Sequence, residues 1–463
     1  MGNISHCRQW HVYFFKLLLI IDRKFSVVHG TSESTSPNGK LISARLRISF
    51  SSGLTRFMVV HVVRYILYLV SGLILSFGLN AKTTSLGQVP QWSDLDIFQK
   101  SMSRSEFIHF LDTVYCPRPE WWSAWVTIDQ DRARIRKISG KDDWYDLYFS
   151  KDNNGSLMSV PPGNSSPDPE GMIIALDPGH LGGAWSEMER RHFSLDGGSP
   201  VKEGDLSLAV ARNLAPRIEA LGATAVLVRK FSEPVTKQRP EDFRGVAKLW
   251  ADEILGTEDN KSEERRLLIK NRQELLFYRV DEIRARAELI NQSIQPDLVI
   301  CLHFNAAPWP DPEKQQLVER DDHHVLVNGC YMGGELAYDD QRFELIWRMV
   351  NRWSETEQRL AESLSLSFSE QTGLPPFSYK GPNALKIGEV PGVWARNLLA
   401  NRRYRCPVVF LEPYVANSQT TYPRIQKWLA QGAGQDDCII TEYTDAVMLG
   451  LGNFIKNQSS QKD

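Results

Sequence analysis

From residue 171 to 456, short unbroken apolar runs alternate with longer stretches whose apolar residues recur every three or four positions. The runs MIIALD (172–177), TAVLVR (224–229), DLVICLH (297–303), HHVLVNG (323–329) and PVVFLE (407–412) predict strands. GDLSLAVARNLAPRIEALG (204–222) predicts a helix stopped by Gly222, with Pro216 as a kink point late in it. Residues 241–291 predict a charged helical stretch, its apolar stripe formed by Leu267, Leu268, Leu275, Leu276, Val280 and Ile283. A single long helix is expected over 342–373 and a last one over 439–455. Strands apolar throughout, alternating with helices, indicate an α/β fold: a single mostly parallel sheet with helices on both faces.

Ahead of that domain (171–456) the pattern changes. Residues 83–160 read as a small α+β module. SRSEFIHFLDTVY carries a helical pattern with a serine cap, and WVTIDQDRARIRKI and WYDLYF alternate as strands do. Trp121, Trp122, Trp125 and Trp144 crowd this region. They are read as its core in preference to a sugar-stacking face. Residues 161–170 have linker composition and 457–463 form a polar tail. Residues 58–82 hold one arginine followed by an apolar run, as a secretory signal peptide or uncleaved anchor does. Export to a periplasm or cell envelope is therefore expected, with membrane contact only through this segment. Residues 1–57 are a doubtful extension, with Met58 the expected start.

Composition narrows the partners. Over 463 residues, 42% of them hydrophobic, 54 lysines and arginines nearly balance 56 aspartates and glutamates. No long basic run appears, so nucleic acid is not an expected partner. The six cysteines form no CxxC pair, which argues against a disulfide framework or a thiolate metal site; Cys301, inside an apolar run, reads as a small core residue.

Three of the apolar runs end in chemistry. The first leads to His180, the third to His303 and the last to Glu412. Ligands of open α/β sheets bind beyond the carboxyl ends of strands, so these residues are expected to meet at one rim. Glu203 precedes the helix at 204–222, on the side of its apolar stripe, where a carboxylate needs a counter-charge. Two histidines and a carboxylate make a catalytic zinc set, and Glu412 is placed to move a proton beside it. No HExxH helix exists, so such a site has to be assembled from distant segments. Each residue also has a plain structural role open to it: a helix cap for His180, a satisfied core-edge ring for His303, a helix N-terminal acid for Glu203, an arginine partner for Glu412.

IIALDPGHLGG, EGDLSLAVARNL, DLVICLHFNA and PVVFLE stand in the order found in zinc-dependent N-acetylmuramoyl-L-alanine amidases of the amidase_3 type, which the chain resembles over roughly 170–456. The resemblance implies a Zn2+ cofactor held by His180, Glu203 and His303, with Glu412 as the catalytic residue. It places Asn305 and Arg396 near substrate or in support of the site. Peptidoglycan is the implied substrate, cleaved between N-acetylmuramic acid and L-alanine, and a protein activator is a possible partner. Two departures stand out. EPYVANS follows the last strand where relatives have a Gly-Phe-like turn and an asparagine, so the wall beside Glu412 is expected to differ. The loop from His180 to Glu203 is long and holds Glu187, Glu189 and His192, of which His192 is an alternative ligand to Glu203. Some relatives carry a helical insertion that covers the metal; 241–291 is either such a gate or a solvated scaffold helix. Two other functions stay open: a zinc amidase or peptidase acting on another amide, and a cell-wall-binding module without catalysis.

Overall fold

The computed structural model describes residues 89–151, 169–257, 262–311, 314–431 and 438–459. The expected extension (1–57), signal or anchor segment (58–82), most of the linker (161–168) and the end of the tail (460–463) lie outside the described residues.

Twelve strands occur among the described residues: β1 (Val126–Ile128), β2 (Arg132–Arg136), β3 (Trp144–Tyr148), β4 (Ile173–Pro178), β5 (His192–Phe193), β6 (Val201–Lys202), β7 (Thr224–Leu227), β8 (Leu298–Leu302), β9 (Val325–Val327), β10 (Leu385–Lys386), β11 (Val393–Ala395) and β12 (Val408–Leu411). Seven form the main sheet in the order β10-β11-β9-β12-β8-β4-β7. Its centre is parallel: β4 pairs with β7 and β8, and β8 with β12. β9 runs antiparallel to β12, and β10 antiparallel to β11. The carboxyl ends of β4, β8 and β12 therefore share one edge, which residue His324, just before β9, also reaches.

The principal helices are α1 (Arg104–Phe110), α2 (Glu203–Glu219), α3 (Arg244–Leu255), α4 (Glu263–Leu275), α5 (Glu282–Glu288), α6 (Asp339–Val350), α7 (Trp353–Thr372), α8 (Thr421–Gln431) and α9 (Ile439–Ser459). One face of the sheet (Ile174, Leu176, Ile300, Leu302, Val409, Leu411) packs into a single cluster with α2, α7 and α9. Alternation turns Ala175, Asp177, Cys301 and Phe410 to the other face, where Arg286 of α5 reaches Asp177. Burial on both faces is why these strands read as unbroken apolar runs. α2 continues through Pro216 to Glu219. Among the described residues no helix is long and apolar enough to cross a membrane.

The expected single helix over 342–373 is two, broken at Asn351 and Arg352. Arg352 adopts a left-handed conformation (φ 53°), and its guanidinium bonds the Ser101 carbonyl (2.8 Å) and Glu106 (3.1 Å). The break lets each half follow its own core. Phe343, Ile346 and Met349 of α6 join a second cluster with Leu95, Phe107, Ile135 and Leu147, whereas Leu360, Leu364 and Phe368 of α7 pack on the sheet. In that N-terminal region α1 starts with a capping box between Ser103 and Glu106, and β1, β2 and β3 form an antiparallel sheet. Trp121, Trp122 and Trp125 pack against the second cluster; Trp144 lies under the guanidinium of Arg136 (4.4 Å). The strands β10 and β11, of two and three residues, carry no pattern long enough to be read beforehand; helix α8, with Tyr422, Ile425 and Leu429 at helical spacing, was not among the expected elements.

Candidate metal centre

β4 ends at Pro178, and two residues later His180 turns into the left-handed region (φ 58°). Gly179 between them allows a close approach: a Cβ there would lie 2.2 Å from Cε1 of His303. The two imidazoles meet across it with ring centroids 5.0 Å apart and planes perpendicular. His303 continues β8, donates its N–H to the Leu411 carbonyl (3.0 Å) and stacks on Phe410 at 5.3 Å.

Glu203 is the first residue of α2, its N–H bonded to the Arg191 carbonyl (3.2 Å). The next two residues explain the rest of the EGD triplet. A Cβ on Gly204 would fall 2.2 Å from the Leu181 carbonyl oxygen, so glycine lets α2 press on the His180 turn. Asp205 accepts the Gly183 N–H at 3.1 Å and the Ser232 hydroxyl at 2.7 Å, fastening the GG turn.

These elements bring three donors together. Glu203 Oε1 lies 3.2 Å from His180 Nε2 and 3.2 Å from His303 Nδ1. The side chains are only 15%, 9% and 12% exposed for His180, Glu203 and His303. Among the described residues these three are the set of histidine, cysteine and acidic side chains able to hold one ion, their donor atoms within 4.8 Å of one another. Two ligand atoms of a tetrahedral zinc site with bonds of 2.0–2.1 Å are separated by about 3.3 Å, which the two spacings from Glu203 Oε1 match. The nitrogen and oxygen donors also suit zinc, with no thiolate needed.

Electrostatics agree with a cation. Burial pulls the His180 imidazole down, but the carboxylates of Glu203 and Glu189 outweigh it and its pKa is raised. Burial likewise opposes a charge on Glu203, yet His180, His303 and Arg191 hold it well below the usual carboxylate range. Glu412 follows β12, next to His303 on the adjoining strand. Both of its carboxylate oxygens are buried and make no hydrogen bond with any described residue. Burial first, then the negative charge of Glu203, raises its pKa. An orphaned carboxylate of this kind is costly unless it serves chemistry.

The other expected residues fall around this core. Asn305 accepts the Ala306 N–H through its side chain (2.8 Å), and its backbone joins Tyr414 and Ala416, shaping the HFNA turn. Arg396 is buried beyond β11 and donates to the Tyr379 hydroxyl (3.3 Å), which in turn bonds His324 Nε2 (3.0 Å). His324 exchanges backbone hydrogen bonds with Glu412, and its own Nδ1 is buried without a partner. His192 pairs with Glu187 at 3.4 Å and stands outside the donor set, which includes Glu203. In EPYVANS, Tyr414 takes a left-handed conformation (φ 61°) and bonds Glu442 (2.9 Å), while Asn417 clamps both the N–H and the carbonyl of Ala307 (2.9 Å each).

Two supports went unread in the sequence. Glu189 takes His180 Nδ1 at 2.7 Å. Arg286 binds the carbonyls of Pro178 (2.7 Å) and His180 (2.9 Å), Asp177 (2.9 Å) and Glu282 (2.8 Å), while Tyr404 donates to the second oxygen of Asp177 (2.5 Å). Neither has a local signal; only the buried position of Arg286 in a charged helix could have hinted at a partner.

No protein-family model matches the chain, and no curated protein matches it either. Among solved structures it is similar to an amidase, CwlD, from Clostridioides difficile in complex with the GerS lipoprotein (14% identity, 62% of this chain and 99% of that one, TM-score 0.34). It is also similar to the N-acetylmuramyl-L-alanine amidase Ami1 of Mycobacterium smegmatis (16%, 63% and 100%, 0.34). A third is the N-acetylmuramoyl-L-alanine amidase AmiC2 of Nostoc punctiforme (13%, 62% and 97%, 0.32).

Proposed function

We propose that this protein is an exported zinc-dependent amidase that hydrolyses the amide between N-acetylmuramic acid and L-alanine in peptidoglycan. The observation that carries the reading is one carboxylate oxygen, Glu203 Oε1, flanked at 3.2 Å by two imidazole nitrogens beside a buried, unpartnered Glu412. The substrate class rests on the four ordered motifs, and export on the apolar run after Arg64.

His180, Glu203 and His303 would hold the ion. Zinc, when bound, supplies Lewis acidity: it polarises a carbonyl and brings the pKa of water toward about 7. The remaining work belongs to the chain. Glu412, kept free of hydrogen bonds and with a raised proton affinity, takes a proton from the attacking water at a carboxylate oxygen. It returns that proton to the departing L-alanine nitrogen, so the amine leaves neutral. Burial of Glu412 keeps bulk water from competing for it.

Metal analysis and digestion of purified sacculi test this together. The parent should hold about one zinc per chain and release intact stem peptides with a free L-alanine amine. Glu203→Ala should weaken zinc binding. Glu412→Ala should retain zinc while turnover falls about 100-fold or more. Release of a different new amine, or parental turnover in Glu412→Ala, would overturn the reading.

A further inference from the structure

We infer that Glu189 is a positioning residue for the metal centre: it fixes the tautomer of His180 and ties that ring to its own turn. The inference rests on the zinc reading above and adds a residue outside all four motifs.

A histidine binds a metal through a ring nitrogen that carries a lone pair, and the hydrogen bond made by the other nitrogen decides which one that is. His180 has Nδ1 2.7 Å from Glu189 Oε1 and Nε2 3.2 Å from Glu203 Oε1. Glu189 Oε2 accepts the Leu181 N–H at 2.7 Å. An ionised carboxylate only accepts, so Nδ1 carries the hydrogen and the lone pair remains on Nε2, the nitrogen that faces Glu203 and, through it, His303. Both oxygens of Glu189 face donors, the His180 ring on one side and the Leu181 N–H on the other, which is the arrangement of an acceptor carboxylate.

The segment that delivers Glu189 is built to hold still. A short helix, Trp185–Met188, precedes it; Glu189 donates its own N–H to the Trp185 carbonyl (3.2 Å), and Ser186 bonds the Gly183 carbonyl (2.8 Å). Trp185 packs on Phe277 at 5.3 Å. Among the described residues His303 meets no second carboxylate at hydrogen-bond distance; stacking on Phe410 and contact with Gly179 fix its ring instead. One ligand is thus oriented by charge and the other by packing.

Glu189→Gln is the deciding variant. Its single carbonyl oxygen can serve one of the two donors, Leu181 N–H or His180 Nδ1–H, and its NH2 group then confronts the other. Zinc affinity is measured by competition with a chromophoric chelator at fixed pH, with the melting temperature of the metal-free protein alongside. The expected result is a zinc Kd raised about 10–100-fold in Glu189→Gln and at least as much in Glu189→Ala, with the melting temperature of the Gln variant unchanged. Zinc affinity of the Gln variant within threefold of the parent would overturn the inference. Nitrogen-15 NMR of the zinc-loaded parent tests it without any variant: His180 should carry its hydrogen on Nδ1, and metal coordination through Nδ1 would sink the idea. A parent that takes up no zinc sinks the proposed function as well, whereas a parent that binds zinc as well as its variants do sinks only the role of Glu189.

Discussion

Gly179 shows how much of this site depends on a missing side chain. The His303 ring occupies the space in which any Cβ at 179 would stand, 2.2 Å away at the nearest atom. That ring is also one of the two imidazoles that flank Glu203 Oε1. Gly179→Ala should therefore push His303 off its position while leaving β4 intact. The expected outcome is a loss of zinc affinity of about 10-fold or more, on the scale of a disturbed ligand orientation, with far-UV circular dichroism unchanged. The DPGH motif thus divides into parts with separate duties. Asp177 anchors Arg286 and Tyr404, Gly179 admits the second ring, and His180 offers the donor. The motif marked the histidine; the reason for its glycine became visible only with His303 beside it.

At the scale of elements, α5 carries more than its charged sequence suggests. Arg286 sits between Asp177 and Glu282, and Glu282 also takes the Thr236 N–H (2.9 Å). Desolvation opposes the Arg286 charge, but the two carboxylates outweigh it and raise its pKa. Removing the cation would strand two buried carboxylates. Arg286→Met should destabilise the protein by about 3–5 kcal/mol, the usual cost of breaking a buried pair, measured as a shift in the urea midpoint. It should also loosen the His180 turn, since two of its carbonyls lose their donor. The apolar periodicity of 241–291 was legible as helix, but that one arginine of the stretch reaches under the sheet edge was not. Hydrophobic patterns report which face is buried, and say nothing of which buried polar group answers which. The long helix over 342–373 failed for a related reason: its heptad-like pattern runs on across Arg352, and only the two separate cores require the break.

For the whole molecule, the edge bearing Glu412 makes stability depend on pH. His324 is buried and its pKa lies well below the ordinary value, first by desolvation and then by Arg320, Arg396 and His323. His323 is lowered too, again mainly by burial. An unfolded chain takes up protons on both as pH falls through about 6.5, and the native state does not. Stability is then fully present above that pH and declines as pH falls toward the lowered native values. The slope approaches 1.4 kcal/mol per pH unit for each such group. Chemical denaturation of the zinc-loaded protein at pH 7.5 and 5.5 should show the parent losing roughly 1 kcal/mol more than His324→Gln, which keeps an acceptor for Tyr379. Equal losses in the two proteins would mean that His324 takes up its proton in the native state.

The sequence by itself determined the α/β class, the positions of β4, β7, β8, β9 and β12, and the strand ends that carry His180, His303 and Glu412, because buried strands and their abrupt polar ends are written in local apolar patterning. The antiparallel course of β9 was not legible, since a strand buried on both faces reads the same in either direction. Tertiary structure alone decided that one oxygen of Glu203 sits between two rings from different strands, that Glu412 is left without a partner, and that Glu189 and Arg286 hold the His180 turn. Those are matters of distance between segments as much as 227 residues apart in the chain, and a one-dimensional pattern carries no information about which distant polar groups close upon each other.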